Sequence, residues 1–93
     1  MAEQKIQASI LNLLKAKGAY TVKVMAANRN GVPDILACYK GRFIAIEVKD
    51  KGNKATPLQL ANIEQIKEQG GYALVAYSPY QVELLLGEID ESI

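Results

Sequence analysis

Gly31-Val32-Pro33-Asp34-Ile35-Leu36-Ala37-Cys38-Tyr39-Lys40-Gly41-Arg42-Phe43-Ile44-Ala45-Ile46-Glu47-Val48-Lys49 is the stretch whose reading decides the fold. It holds two strand-like runs, Asp34–Tyr39 and Arg42–Lys49, joined at Lys40-Gly41. A two-residue hairpin loop sets Tyr39 opposite Arg42, and counting outward from there sets Asp34 opposite Glu47. A four-residue loop on the same centre keeps that register, whereas a three-residue loop or a bulge breaks it. Directly opposed residues hold their Cβ atoms about 4.5–5.5 Å apart, where like charges are destabilising. A divalent cation between the two carboxylates removes the conflict, since Mg²⁺ takes oxygen ligands at about 2.0–2.1 Å.

Strand alternation adds a third group. Ile44, Ile46 and Val48 share one face, and Phe43, Ala45, Glu47 and Lys49 share the other. A lysine beside a carboxylate that binds metal can position or deprotonate an attacking water, or balance charge developing on a phosphate. Val48 points away, but its carbonyl is within reach of the same ion. The competing reading is structural: Asp34 ends a turn, and Glu47 and Lys49 mark a strand running out to solvent. Spacing alone does not separate the two.

Outward from the hairpin, residues 3–17 carry Ile6, Ile10, Leu13 and Leu14 at helical spacing and stop at Gly18. Residues 20–26 alternate as a strand, and Ala27–Pro33 is a loop rich in structure breakers. After a polar loop at 50–55, Thr56-Pro57-Leu58-Gln59 opens a second helix with an N-cap, a proline at the first position and a capping-box glutamine. Gly70-Gly71 ends it, and Tyr72–Tyr77 is a fourth strand. Ser78-Pro79-Tyr80-Gln81 repeats the helix-start pattern before a short helix over Val82–Leu86, with fraying expected from Gly87. The predicted order is helix, three meandering strands, helix, strand, helix, with a parallel crossover between the last two strands. On the second helix Gln59 falls on the stripe of Ile63 and Ile66, and on the first Glu3 falls on the stripe of Ile6 and Ile10. Both helices can therefore lean a polar end toward the carboxylate edge; for Gln59 a capping role can coexist with this, and for Glu3 a favourable first-turn acid is the stronger reading.

Composition narrows the chemistry. Ninety-three residues make one domain, 1–93. No apolar run approaches a membrane span, and the first residues lack a signal-peptide pattern, so a cytoplasmic protein is expected. Cys38 is the single cysteine, which excludes an internal disulfide and a cysteine-rich zinc site; a buried structural thiol is the expectation. The chain has no histidine, which removes Ser–His and Cys–His catalysis and histidine-based nucleases. Hydrolysis must then use carboxylates, lysine and a metal. Residues 1–60 hold ten Lys/Arg against four Asp/Glu, while residues 61–93 hold one lysine against six acids. A basic body with an acidic end suits a phosphate-binding face. The candidates for it are Lys23, Arg29, Lys40, Arg42, Lys51 and Lys54.

Gly31-Val32-Pro33-Asp34, twelve further residues and then Glu47-Val48-Lys49 resemble the PD-(D/E)xK nuclease motif. With Thr56-Pro57-Leu58-Gln59 and Gly70-Gly71 downstream, the pattern is similar to the small stand-alone VRR-NUC domains of phages and bacteria, from about Glu3 to Tyr77. The resemblance implies an α/β, restriction-endonuclease-like αβββαβ core with a mixed four-stranded sheet and a short C-terminal helix. It implies phosphodiester hydrolysis with Mg²⁺ or Mn²⁺, held by Asp34, Glu47 and the Val48 carbonyl. Lys49 would be the catalytic lysine, Gln59 the glutamine that orients the site, and Glu3 the acid of the first helix. It also implies homodimers that cut branched DNA, Holliday junctions in particular. Two symmetric nicks need two sites about a twofold axis, and Val82-Glu83-Leu84-Leu85-Leu86 is a candidate interface unless it packs on the sheet. The rival function is a silent nucleic-acid-binding or assembly module of the same fold.

Overall fold

The computed structural model describes residues 2–93. The elements are α1 (Ala2–Ala16), β1 (Tyr20–Lys23), β2 (Ile35–Tyr39), β3 (Arg42–Val48), α2 (Pro57–Glu68), β4 (Tyr72–Ala76) and α3 (Pro79–Glu91). They form one four-stranded sheet in the order β1-β2-β3-β4. The first three strands run antiparallel, and β4 lies parallel to β3 across α2. This is the predicted mixed sheet.

The hairpin forms in the expected register. Tyr39 pairs with Arg42 and Ile35 with Ile46. Lys40 and Gly41 both adopt positive φ, 50° and 81°, as a two-residue turn matched to the strand twist requires. Lys40 tolerates that conformation in a well-braced setting. Its ammonium lies 2.6 Å from the Asp90 carboxylate, and Arg42 Nη1 donates to its carbonyl at 2.7 Å. Each partner of the Lys40–Asp90 pair holds the other charged, raising the lysine pKa and lowering that of the aspartate.

Alternation along the strands divides the sheet into two unlike faces. Ile35, Ala37, Tyr39, Ile44, Ile46, Val48 and Ala76 pack with Ile10 and Leu14 of α1 and with Val82, Leu86 and Ile89 of α3. The opposite face carries a smaller cluster of Ala45, Ala73 and Ile63, with Leu36, Ile66 and Val75 beside it. There α2 packs against β3 and β4. The β1–β2 half of this face is therefore open, leaving Tyr20 73%, Val22 40% and Phe43 47% exposed. Cys38 pairs with Tyr20 and Phe43 on that open half, so it is exposed and not the buried thiol expected.

Other boundaries move for local reasons. β1 stops at Lys23, short of Ala26, although Val24 still donates to the Asp34 carbonyl at 2.8 Å. Pro33 comes next on the partner strand, and it has no N–H to extend the ladder. α3 does not fray from Gly87 but continues to Glu91. Ile89 is fully buried and Asp90 accepts from the Tyr39 hydroxyl at 2.8 Å, which fixes the last turn to the hairpin. Val82 and Leu86 are buried in the α1–sheet core. The Val82–Leu86 segment is thus a packing element, with Leu84 exposed beside it. Thr56 and Gln59 make the full predicted capping box. Ser78 makes no side-chain cap; Gln81 accepts the Tyr77 N–H in its place. Among the described residues no helix is long and apolar enough to cross a membrane.

Candidate active site

The site forms where β2 begins and β3 ends. One step beyond the Ile35–Ile46 pair, the Asp34 Oδ2 accepts the backbone N–H of Val48 at 2.8 Å. The Asp34 carboxylate is thereby anchored to the strand that carries Glu47. Val48 itself is fully buried on the α1/α3 face. Glu47 is 2% exposed, and its Oε2 lies 3.8 Å from the Lys49 Nζ. Its other oxygen, Oε1, is buried and has no hydrogen-bond partner.

A carboxylate in this setting resists ionisation. Burial is the main cause, and the neighbouring Asp34 charge is second; Glu3 adds to the effect and Lys49 opposes it. Together they push the Glu47 pKa up to about 8. At neutral pH a proton therefore sits where the charge balance would otherwise call for a cation. An orphaned carboxylate oxygen beside a second carboxylate offers the hard oxygen donors that suit a divalent cation, with the Lys49 ammonium next to them. No group of three or more acids or cysteines closes around one point among the described residues. Asp34 and Glu47 are the two carboxylates the hairpin brings to this edge, with the Val48 backbone beside them.

Glu3 reaches this edge from the first turn of α1. Its Oε2 accepts the Asp50 N–H at 3.2 Å, just past Lys49. That bond ties the start of the chain to the exit of β3. Gln59 commits its side-chain oxygen to the Thr56 N–H at 2.9 Å, so the capping function is the one observed.

The basic residues divide by location. Lys23 ends β1 opposite Ile35, at the carboxylate end of the sheet. Lys51 and Lys54 lie in the loop that follows Lys49. Arg29 donates to Gln65 Oε1 on α2 at 2.9 Å. Lys40 and Arg42 sit at the hairpin turn, the opposite end of β2 and β3, and Lys40 is paired with Asp90. The structure does not bring these last two to the carboxylates, because a strand rises about 3.3 Å per residue.

One positioning residue escapes a reading of the sequence. Asn62 is 7% exposed, and its Nδ2 donates to the Asn30 carbonyl at 3.2 Å and to the Leu58 carbonyl at 3.0 Å. It holds the loop before Asp34 against α2. Gly31 allows this close approach: its φ is +78°, and an added Cβ would lie 2.8 Å from Leu58 Cγ and 2.9 Å from Asn62 Nδ2. The signal in the sequence was a polar residue four before Ile66 on the buried stripe.

The chain matches the family described as archaeal Holliday junction resolvase (Hjc) over residues 4–92. It belongs to that family. It is also 30% identical to "Putative nuclease p44" of Acyrthosiphon pisum secondary endosymbiont phage 1, over 78% of this chain and 80% of that protein. Among solved structures, a VRR_NUC domain superposes with a TM-score of 0.81 at 29% identity, covering 94% of this chain and 96% of the other. A second VRR_NUC domain protein gives a TM-score of 0.72 at 22% identity, over 95% and 87% of the two chains. Archaeoglobus fulgidus Hjc, a Holliday junction resolvase from an archaeal hyperthermophile, gives 0.63 at 22%, over 81% and 67%. At that identity the last two speak for the fold alone. This member of the resolvase family is a nuclease with the VRR-NUC fold.

Proposed function

We propose that this nuclease is a divalent-metal-dependent endonuclease that cuts branched DNA, with Holliday junctions as the foremost substrate. The observation that carries the reading is the buried, unpartnered Oε1 of Glu47 beside Asp34 and Lys49. Asp34, Glu47 and the Val48 carbonyl would hold Mg²⁺ or Mn²⁺. When bound, the ion supplies positive charge that stabilises phosphate oxygens as negative charge builds on them. Lys49 is the group free to donate to the attacking water or to a phosphate oxygen, because its ammonium is only loosely engaged with Glu47. Gln59 and Glu3 would brace the edges of the site from α2 and α1, and Lys23, Lys51 and Lys54 would hold backbone phosphates. Arg29, Lys40 and Arg42, placed farther off or already paired, would contact more distant DNA.

A homodimer fits paired incisions, and the open half of the sheet supports one. Tyr20, Val22, Cys38 and Phe43 form a continuous face without an acidic residue. A patch of this kind can meet its own copy about a twofold axis.

The test is cleavage of a four-way junction beside nicked and linear duplexes, with Mn²⁺ and with EDTA. Junction cutting that requires metal and drops about 10²-fold or more in Lys49→Ala is the expected result; undiminished cutting by Lys49→Ala would overturn the assignment. A non-cleaving DNA-binding module is the second reading, favoured because no third acid closes on the pair among the described residues. Metal titration separates the two: a working site binds Mn²⁺ and loses it in Asp34→Asn.

A further inference from the structure

The catalytic edge also carries an aromatic ring framed by lysines. β3 and β4 end side by side, with Val48 opposite Ala76, and the Lys49 N–H donates to the Ala76 carbonyl at 3.0 Å. Tyr77 is the next residue along from Ala76. Its ring therefore leaves the backbone one position beyond the strand end that presents Glu47 and Lys49. The ring is tethered through its hydroxyl, which donates to the Asn53 carbonyl at 2.9 Å, and the residue's backbone N–H donates to Gln81 Oε1.

Even so, Tyr77 remains 38% exposed. With Lys51, Gly52, Asn53 and Lys54 it lines a cavity of about 510 Å³. Neither Lys51 nor Lys54 enters an ion pair among the described residues. An immobilised, part-exposed ring beside two unpaired cations has the makings of a nucleotide seat. Aromatic faces stack bases of any sequence, and lysines meet phosphates as point charges.

We propose that Tyr77, Lys51 and Lys54 form a seat for one unpaired nucleotide of branched DNA, next to the phosphate that is cut. Its base stacks on the Tyr77 ring and its phosphates lie against the two lysines. The idea rests on the endonuclease reading above and supplies it with a means of selection. In a linear duplex each base is stacked between neighbours, and freeing one is costly. At a branch point strand exchange weakens stacking and pairing, so freeing a base costs less. The seat would therefore discriminate by the availability of a base and not by its identity.

The experiment measures binding by fluorescence anisotropy, with calcium in place of magnesium, for a four-way junction and a linear duplex of the same sequence. The parent protein is measured first. A parent that binds no junction overturns the endonuclease reading itself and this proposal with it. Given parent binding, Tyr77→Leu is expected to weaken junction binding roughly tenfold while leaving duplex binding within about twofold. Tyr77→Phe, which keeps the ring and loses the bond to Asn53, is expected to stay within about threefold of the parent on both. Equal binding by Tyr77→Leu, or an equal loss on junction and duplex, overturns the proposal. As a measurement that needs no folded variant, the parent is also irradiated on a junction bearing 5-iododeoxyuridine at the branch nucleotide. A cross-link mapped by mass spectrometry to Tyr77 supports the seat; a cross-link elsewhere, or none, overturns it.

Discussion

The Oδ2 of Asp34 accepts the N–H of Val48 at 2.8 Å, and so the first acid of the motif is bound to the backbone of the residue that follows the second. This bond makes the charge of Asp34 and its structural role separable. Asp34→Asn keeps an acceptor for the Val48 N–H and should leave stability to urea within about 1 kcal/mol of the parent. Asp34→Ala leaves a buried donor unmet and should cost about 1–3 kcal/mol. Both should lose metal binding. Equal stability of the two variants in urea titrations would show that the bond contributes nothing.

Glu47 predicts an unusual pH dependence. Its pKa is about 8 in the folded protein, against an ordinary value of 4.5. Between those values the folded state keeps a proton that the unfolded state has lost, so stability falls as pH rises through this window. The contribution is fully present below pH 4.5 and fully lost above pH 8. In EDTA the Tm should decline across that window, and Glu47→Gln should flatten the decline.

Metal should reverse the trend, because a cation replaces the proton. At neutral pH, Mn²⁺ at one hundred times its Kd should stabilise the parent by about 2.7 kcal/mol and release protons on binding. Removing the ion with EDTA should restore the metal-free Tm. Calorimetry in buffers of different ionisation enthalpy reads the proton release, and a binding heat independent of buffer would contradict it.

Asn62 gives a prediction away from the carboxylates. Asn62→Ala should lower stability by about 0.5–1.5 kcal/mol through loss of the bond to the Asn30 carbonyl. Gly31→Ala should be harmful too, since it combines a left-handed φ with contacts under 3.0 Å. Both should impair cleavage by loosening the approach to Asp34, although neither residue carries charge. Hydrogen exchange across residues 28–34 should rise in each variant, and unchanged exchange would remove the positioning role.

The open sheet face predicts the oligomeric state. Phe43→Glu places a charge at its centre, 47% exposed, without touching the buried core. Light scattering should report a dimer for the parent and a monomer for the variant. A dimeric Phe43→Glu protein would move the interface elsewhere.

Much of this arrangement was legible in the sequence. The hairpin register follows from turn chemistry at Lys40-Gly41, and the helix start at Thr56–Gln59 from local capping; both depend on near neighbours. Asp34, Glu47 and Lys49 were found because alternation and a turn are enough to place them together. Cys38, the end of α3 and Asn62 were misread or missed for a common reason. Each depends on what packs against it from far along the chain. Cys38 is exposed because α2 covers only half a face, and α3 persists past Gly87 because Asp90 meets Tyr39 and Lys40. The buried Asn62 amide answers a loop carbonyl thirty-two residues earlier.

The two-residue turn at Lys40-Gly41 lies at the far end of the hairpin from Asp34 and Glu47, yet it dictates their pairing. Because side chains alternate along a strand, gaining or losing one residue there would shift the β2–β3 register by one and set Asp34 and Glu47 on opposite sides of the sheet. Indels are ordinarily cheap in surface loops, but here one would part the two carboxylates of the proposed site without touching either. The lineage of this fold is thus free to change the amino acids of that turn, and far less free to change its length.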